Sequence, residues 1–183
     1  ELQLSRGEPI SDTAKVLSSM LDVIVLRTDN HEKLEIFSQN SSVPIINGLT
    51  NSFHPCQIMA DLMTFREVSK GKNLEKVCWI GDGNNVCNSY IEAAKLLNFE
   101  LSIFCPKGYE PNANILESSK KFVSLATNKE DALRNADIVT TDVWTSMSSN
   151  TKLKDRKKIF KEFFVSPDDM KKAKDKSIFL HCL

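Results

Sequence analysis

Short apolar runs and longer stretches of helical periodicity take turns along the chain from residue 11 to its last residue. Asp22 to Leu26 predicts a buried strand ending at Arg27, and Val43-Pro44-Ile45-Ile46 predicts a second, stopped by Asn47-Gly48. From Leu74 onward five more are expected: Val77 to Ile80, Leu101 to Phe104, Phe122 to Leu125, Asp137 to Thr140 and Ile178 to Leu180. Helices fill the gaps. The first starts near the capping residues Ser11 and Asp12 and carries Ala14, Val16, Leu17 and Met20. Others run from about His31 to Gln39, Val86 to Leu97 and Glu130 to Asn135. A further helix opens at Pro55, repeats Ile58, Leu62 and Phe65 at i, i+4 and i+7, and ends by Gly71. Such alternation predicts an α/β protein with doubly wound parallel sheets, helices on both faces and right-handed crossovers. Residues 1–52 read as the end of one α/β block, 53–73 as a connecting helix, and 74–183 as most of a second block.

Composition narrows the function classes. At 183 residues and 41% hydrophobic, the chain is long enough for one full α/β domain plus part of another. No apolar run is long enough to span a bilayer, and Glu1-Leu2-Gln3 resembles no signal or transit peptide. A start at Glu predicts that the native N-terminus lies further upstream. Twenty-four basic residues balance 24 acidic ones, which argues against a general polyanion partner such as nucleic acid. The Lys-rich stretch from Lys152 to Lys176 interleaves Ile159, Phe160, Phe163 and Phe164, and so predicts the solvated face of an amphipathic helix. Cys56, Cys78, Cys87, Cys105 and Cys182 are odd in number and lack C-x-x-C spacing, so neither a disulfide framework nor a metal site is expected. Four of them read as packing residues in a reducing compartment, with Cys182 the exception.

Polar clusters close the predicted strands. Arg27 closes one, and Gly81-Asp82-Gly83-Asn84-Asn85, Asp142-Val143-Trp144-Thr145-Ser146-Met147 and His181-Cys182 close three others. In a parallel sheet these ends share an edge, so distant residues converge on one crevice. Gly81-x-Gly83 fails as a dinucleotide fingerprint because Val86 occupies the third glycine position. Asn84 and Asn85 suit either the grasp of an amino acid's carboxylate and amine or a turn that caps the next helix. His54-Pro55-Cys56-Gln57 places an imidazole and an amide at a helix N-terminus, suited to polarising a carbonyl; His54 taken alone reads more readily as an ordinary cap or surface residue. Ile178-Phe179-Leu180 reads as a core strand delivering His181 and Cys182.

Taken in order and spacing, five segments resemble ornithine carbamoyltransferases of the aspartate/ornithine carbamoyltransferase family. They are Val43-Pro44-Ile45-Ile46-Asn47-Gly48-Leu49, His54-Pro55-Cys56-Gln57, Gly81-Asp82-Gly83-Asn84-Asn85, Asp142-Val143-Trp144-Thr145-Ser146-Met147 and His181-Cys182-Leu183. The related aspartate enzyme shares the His-Pro-x-Gln element but neither the Ser-Met loop nor the His-Cys-Leu strand. The resemblance implies transfer of a carbamoyl group from carbamoyl phosphate to the δ-amino group of L-ornithine, giving L-citrulline and phosphate in arginine biosynthesis. It implies no metal or organic cofactor, a homotrimer, and a cytoplasmic location, or the mitochondrial matrix if a transit peptide precedes the chain. Arg27, His54, Gln57, Cys182 and Leu183 match the carbamoyl phosphate contacts. Asn85, with Asn84 as second choice, and Asp142, Ser146 and Met147 match the ornithine contacts. Cys182, His54 and Asp142 match the catalytic positions.

Elementary chemistry fits these roles. A free alkylammonium has a pKa of about 10, so the amine must lose a proton as the C–N bond forms. Cys182 and Asp142 are placed to orient the amine and relay that proton, His54 to stabilise the carbonyl oxygen and Arg27 the departing phosphate. Carbamoyl phosphate is already activated, so direct attack is preferred to a covalent Cys182 intermediate. The chain departs from the family at Ser148, where glycine is usual, and it lacks the upstream Ser-x-Arg-Thr stretch, the proline after His-Cys-Leu and a downstream arginine. The piece alone is therefore expected to have little activity. Putrescine or N-acylated ornithine as acceptor, and a non-catalytic amino-acid-binding module or degenerate paralogue, are the competing readings.

Overall fold

Side chains on both faces of the strand β3 (Lys76–Ile80) are fully buried, and the rest of the second unit is arranged around that fact. The computed structural model describes residues 7–144 and 153–182; Ser146, Met147, Ser148 and Leu183 lie outside them. Two compact units result, Glu1–Cys56 and Gln57–Leu183.

In the first unit, α1 (Ile10–Ser18), β1 (Ile24–Arg27), α2 (His31–Asn40) and β2 (Ile45–Leu49) surround a small core of Ala14, Ile24 and Phe37. β1 and β2 pair in parallel with a bulge between Leu26 and Arg27. Three expectations change here. Pro9, not Ser11 or Asp12, stands at the N-cap of α1, and its inward face is Thr13, Ala14 and Ser18 while Val16 and Met20 are exposed. Val23 and Val25 of the expected buried strand are exposed, because the two-stranded sheet covers only one of its faces among the described residues. Asn47 and Gly48 lie inside β2 instead of ending it, and a Cβ on Gly48 would stand 3.1 Å from Val25 Cγ1, a close approach that a glycine leaves room for.

The second unit takes up α3 (Pro55–Val68) from Gln57 onward, then α4 (Asn85–Leu97), β4 (Glu100–Phe104), α5 (Ala113–Ser119), β5 (Val123–Leu125), α6 (Lys129–Leu133), β6 (Ile138–Thr141), α7 (Leu153–Ile159), α8 (Pro167–Met170) and β7 (Ile178–His181). Its parallel sheet has the order β5-β4-β3-β6-β7. Val77 and Trp79 face α3 and α4 through Ile58, Phe65, Tyr90 and Ile91, while Cys78 and Ile80 face Ala132, Leu133 and Phe163. Helical cover on both faces explains the near-continuous apolar reading of β3. The Lys-rich segment is not one helix: α7 passes into a 3-10 turn, Phe160–Glu162, and Pro167 starts α8 under a Ser166 capping box. β7 is the edge strand among the described residues, with Phe179 and His181 exposed, so the expected core strand is only half covered. No helix among the described residues is long and apolar enough to cross a membrane.

Candidate active site

The chain leaves β3, visits β4 and β5 on one side, then returns to β6 on the other, so the carboxyl ends of β3 and β6 form the point where a doubly wound sheet opens a crevice. Gly81, Asp82, Gly83 and Asn84 follow β3. Asp142 follows β6, and Cys182 follows β7, whose register pairs Thr141 with His181. Asp142 and Cys182 are thus the first residues off two adjacent strands, whose backbones run about 5 Å apart. The Cys182 N–H donates to Thr141 O at 3.3 Å.

Asn84 takes the capping reading of the Gly-Asn segment and adds a link to Asp142. Its Oδ1 caps α4 by accepting from the N–H groups of Val86 and Cys87 at 3.0 and 3.1 Å, and its Nδ2 donates to Asp142 Oδ2 at 2.6 Å. Asp142, 8% exposed, takes a second bond from the Val143 N–H at 2.7 Å. Asn85 is the first residue of α4 and half-buried at the same edge. Gly83 has its reason in packing: a Cβ there would lie 2.3 Å from Pro111 N. The loop is held from below by the Trp79 indole N–H, which donates to Asp82 O at 3.0 Å, and by Thr141 Oγ1 donating to Ile80 O.

Gln57, in the first turn of α3, accepts from the Cys182 thiol at 3.5 Å through Oε1 and donates from Nε2 to Asp61 Oδ1 at 2.9 Å. A carboxylate, an amide and a thiol therefore stand at one sheet edge, arranged to accept and orient an amino group. Arg27 does not share that edge. It ends β1 in the other sheet and is exposed. His54 follows a tight turn built on the fully buried Thr50, whose Oγ1 meets His31 Nδ1 at 3.0 Å and accepts from the Phe53 N–H at 3.1 Å. His31 also packs on Phe53, so α2 anchors the turn that leads to His54.

Sequence reasoning missed two buried networks. Arg156, 4% exposed, forms an ion pair with Asp82, donates to Trp144 O and lies over the rings of Tyr109 and Phe160. Burial pushes the Asp82 carboxyl up; Arg156 pulls against it, and the Asp142 charge adds to the rise. A lone arginine among lysines was the available signal, since guanidinium groups suit buried pairs better than ammonium groups. The second network joins Asp61 to Tyr90, whose hydroxyl donates to Asp61 Oδ2 at 2.6 Å. Asp61 falls on the same stripe as Ile58 and Phe65, which marks it as buried. Among the cysteines, Cys78 and Cys87 are buried packing residues, with burial pushing the Cys78 thiol up to about 12. Cys56 is exposed and its thiol donates to Asn47 O, so it does not pack as expected. A cavity of about 760 Å³, lined partly by Lys70, Lys174 and Ile178, opens at the opposite edge of the sheet, away from this chemistry.

Residues 73–183 match the family model described as aspartate/ornithine carbamoyltransferase, Asp/Orn binding domain, and residues 1–67 the model described as its carbamoyl-P binding domain. The chain is 46% identical over its whole length to an ornithine carbamoyltransferase of Hydrogenovibrio crunogenus and 49% identical to one of Acinetobacter baumannii, covering 61% and 60% of those proteins. Its structure is similar to the crystal structure of the anabolic ornithine carbamoyltransferase of Campylobacter jejuni, with a TM-score of 0.91, 39% identity, all of this chain and 63% of that one covered. The enzyme of Pyrococcus furiosus gives a TM-score of 0.88 at 40% identity, over 100% of this chain and 60% of that one. The chain thus spans about three fifths of the length of the curated relatives it matches. With a parallel-sheet crevice that gathers Asn84, Asp142 and Cys182, and with both halves matched, the chain belongs to the aspartate/ornithine carbamoyltransferase family.

Proposed function

We propose that the protein transfers the carbamoyl group of carbamoyl phosphate to the δ-amino group of L-ornithine, producing L-citrulline and phosphate. The observation that carries this reading is the meeting of Asp142, Asn84 and Cys182 at the carboxyl edge of the sheet, with Gln57 against the thiol. Asp142 and Asn85 hold the amino acid, and Ser146 and Met147, outside the described residues, complete that contact. Arg27, His54, Gln57 and Leu183 hold carbamoyl phosphate, His54 on the carbonyl oxygen and Arg27 on the phosphate. Cys182 and Asp142 orient the amine, and Asp142 takes its proton as nitrogen attacks carbon and the phosphate oxygen leaves with the bonding pair. The names of the relatives support ornithine over putrescine or N-acylornithine. A homotrimer, a role in arginine biosynthesis and a cytoplasmic location, or a matrix one behind a transit peptide, complete the proposal.

The test is citrulline formation by the whole encoded protein, with ornithine, putrescine and aspartate compared as acceptors. Ornithine is expected to dominate. Asp142→Asn is expected to lower kcat by about 10²- to 10⁴-fold while the far-UV spectrum stays unchanged. Faster turnover of putrescine, or ornithine binding without carbamoyl phosphate and without turnover, overturns the proposal.

A further inference from the structure

Beneath the proposed site lies a chain of buried groups in which each hydrogen bond has only one workable direction. Asp61, 7% exposed, receives Tyr90 Oη on Oδ2 and Gln57 Nε2 on Oδ1. Tyr90 is fully buried, and its phenolic proton is donated to Asp61. Burial first, and the Asp61 charge next, push the Tyr90 hydroxyl far up, which keeps that proton in place. An ionised carboxylate accepts only, so the group of Gln57 that faces it must be the amide NH₂. The other end of the amide, Oε1, is then turned toward the Cys182 thiol at 3.5 Å.

We infer that Asp61 is a positioning residue that fixes the polarity of the Gln57 amide, so that an oxygen rather than an NH₂ group faces Cys182 and the ligand beside it. The consequence for Cys182 is chemical. A sulfur facing an acceptor is held as a thiol that donates, suited to orienting an amine through a sulfur lone pair and poorly suited to covalent attack. For a carbamoyl ligand, the same oxygen accepts from the NH₂ group and rejects an isostere without one. This meaning rests on the carbamoyl-transfer reading; the geometry does not.

Asp61→Asn tests it on the whole encoded protein. The introduced amide must turn its oxygen to the Tyr90 proton, since the other orientation orphans a donor in a fully buried site. Its NH₂ then meets that of Gln57, which flips and presents a donor to the sulfur. Alkylation of Cys182 by iodoacetamide at one fixed pH, followed on its own peptide by mass spectrometry, is expected to rise about three- to tenfold, because a donor favours the thiolate. Tyr90→Phe keeps the Asp61 carboxylate facing Gln57 and is expected to leave that rate unchanged. In the unaltered protein labelled with ¹⁵N-glutamine, the Gln57 side-chain amide is expected to exchange slowly and to show one strongly downfield proton. An unchanged Cys182 rate in Asp61→Asn, an equal rise in both variants, or a fast-exchanging Gln57 amide overturns the inference. None of these readouts requires turnover, so absence of citrulline formation refutes the reaction and leaves the positioning role standing.

Discussion

Arg156 is the single arginine in a run of lysines, and its side chain is almost wholly removed from water while Lys157, Lys158 and Lys161 are exposed. The aromatic faces of Tyr109 and Phe160 and the Asp82 carboxylate together replace the lost hydration. Arg156→Ala is expected to lower stability by about 3 kcal/mol in urea denaturation, because it strands a buried carboxylate. Arg156→Lys recovers less than half of that, since an ammonium cannot lie flat between rings. The pH dependence follows from Asp82, whose carboxyl is already pushed up by burial. Without the guanidinium it rises further, so the folded variant binds more protons than the unfolded chain between the ordinary and the raised value. Stability of the variant therefore increases as pH falls through that window, and the deficit shrinks; a deficit independent of pH contradicts the account. Asn84 carries a related lesson. One side chain serves as helix cap through its oxygen and as partner of Asp142 through its nitrogen, so a cap can also tie the ends of two strands together.

Strand positions were legible within a residue or two, and β3, β4 and β6 appear where apolar runs predicted them. Such runs are long enough, and bounded sharply enough by polar residues, to leave one choice. Helix ends fared less well. Pro9 displaced the expected caps of α1, and Pro167 divided a segment whose periodicity suggested one amphipathic helix. Both errors come from weighing side-chain caps and periodicity above backbone restriction by proline. At α8 the new start is secured by Ser166 and Asp169, each side chain bonded to the other's N–H. Burial pushes the Asp169 carboxyl up, but the Ser166 N–H and hydroxyl and the Lys129 ammonium outweigh it and hold the group below its ordinary value. The stabilisation it provides is full above about pH 4 and is lost as pH falls through the lowered value. Asp169→Asn is expected to cost about 1–2 kcal/mol at neutral pH and almost nothing in strong acid, measured by urea titration at both. A cost that persists unchanged in acid contradicts the assignment.

At the scale of the molecule, two cores of unequal size are built. The first unit rests on Ala14, Ile24 and Phe37, while the second buries both faces of its central strand β3. Both tryptophans, Trp79 and Trp144, lie in the second unit. Far-UV dichroism is therefore expected to begin falling at lower urea than tryptophan fluorescence, since only the first signal includes the smaller core. Coincident transitions would refute separate cores. By itself the sequence determined the α/β class, the order of elements, the segments that carry chemistry and the family, because periodicity and motif spacing are properties of the chain alone. Tertiary structure decided which of those segments meet. Strand order placed the ends of β3, β6 and β7 side by side, left Arg27 on another sheet, and turned Gln57 and Asp61 toward Cys182 and Tyr90. Pairing across 58 residues, as between Asn84 and Asp142, depends on how strands cross over, and no local pattern encodes that.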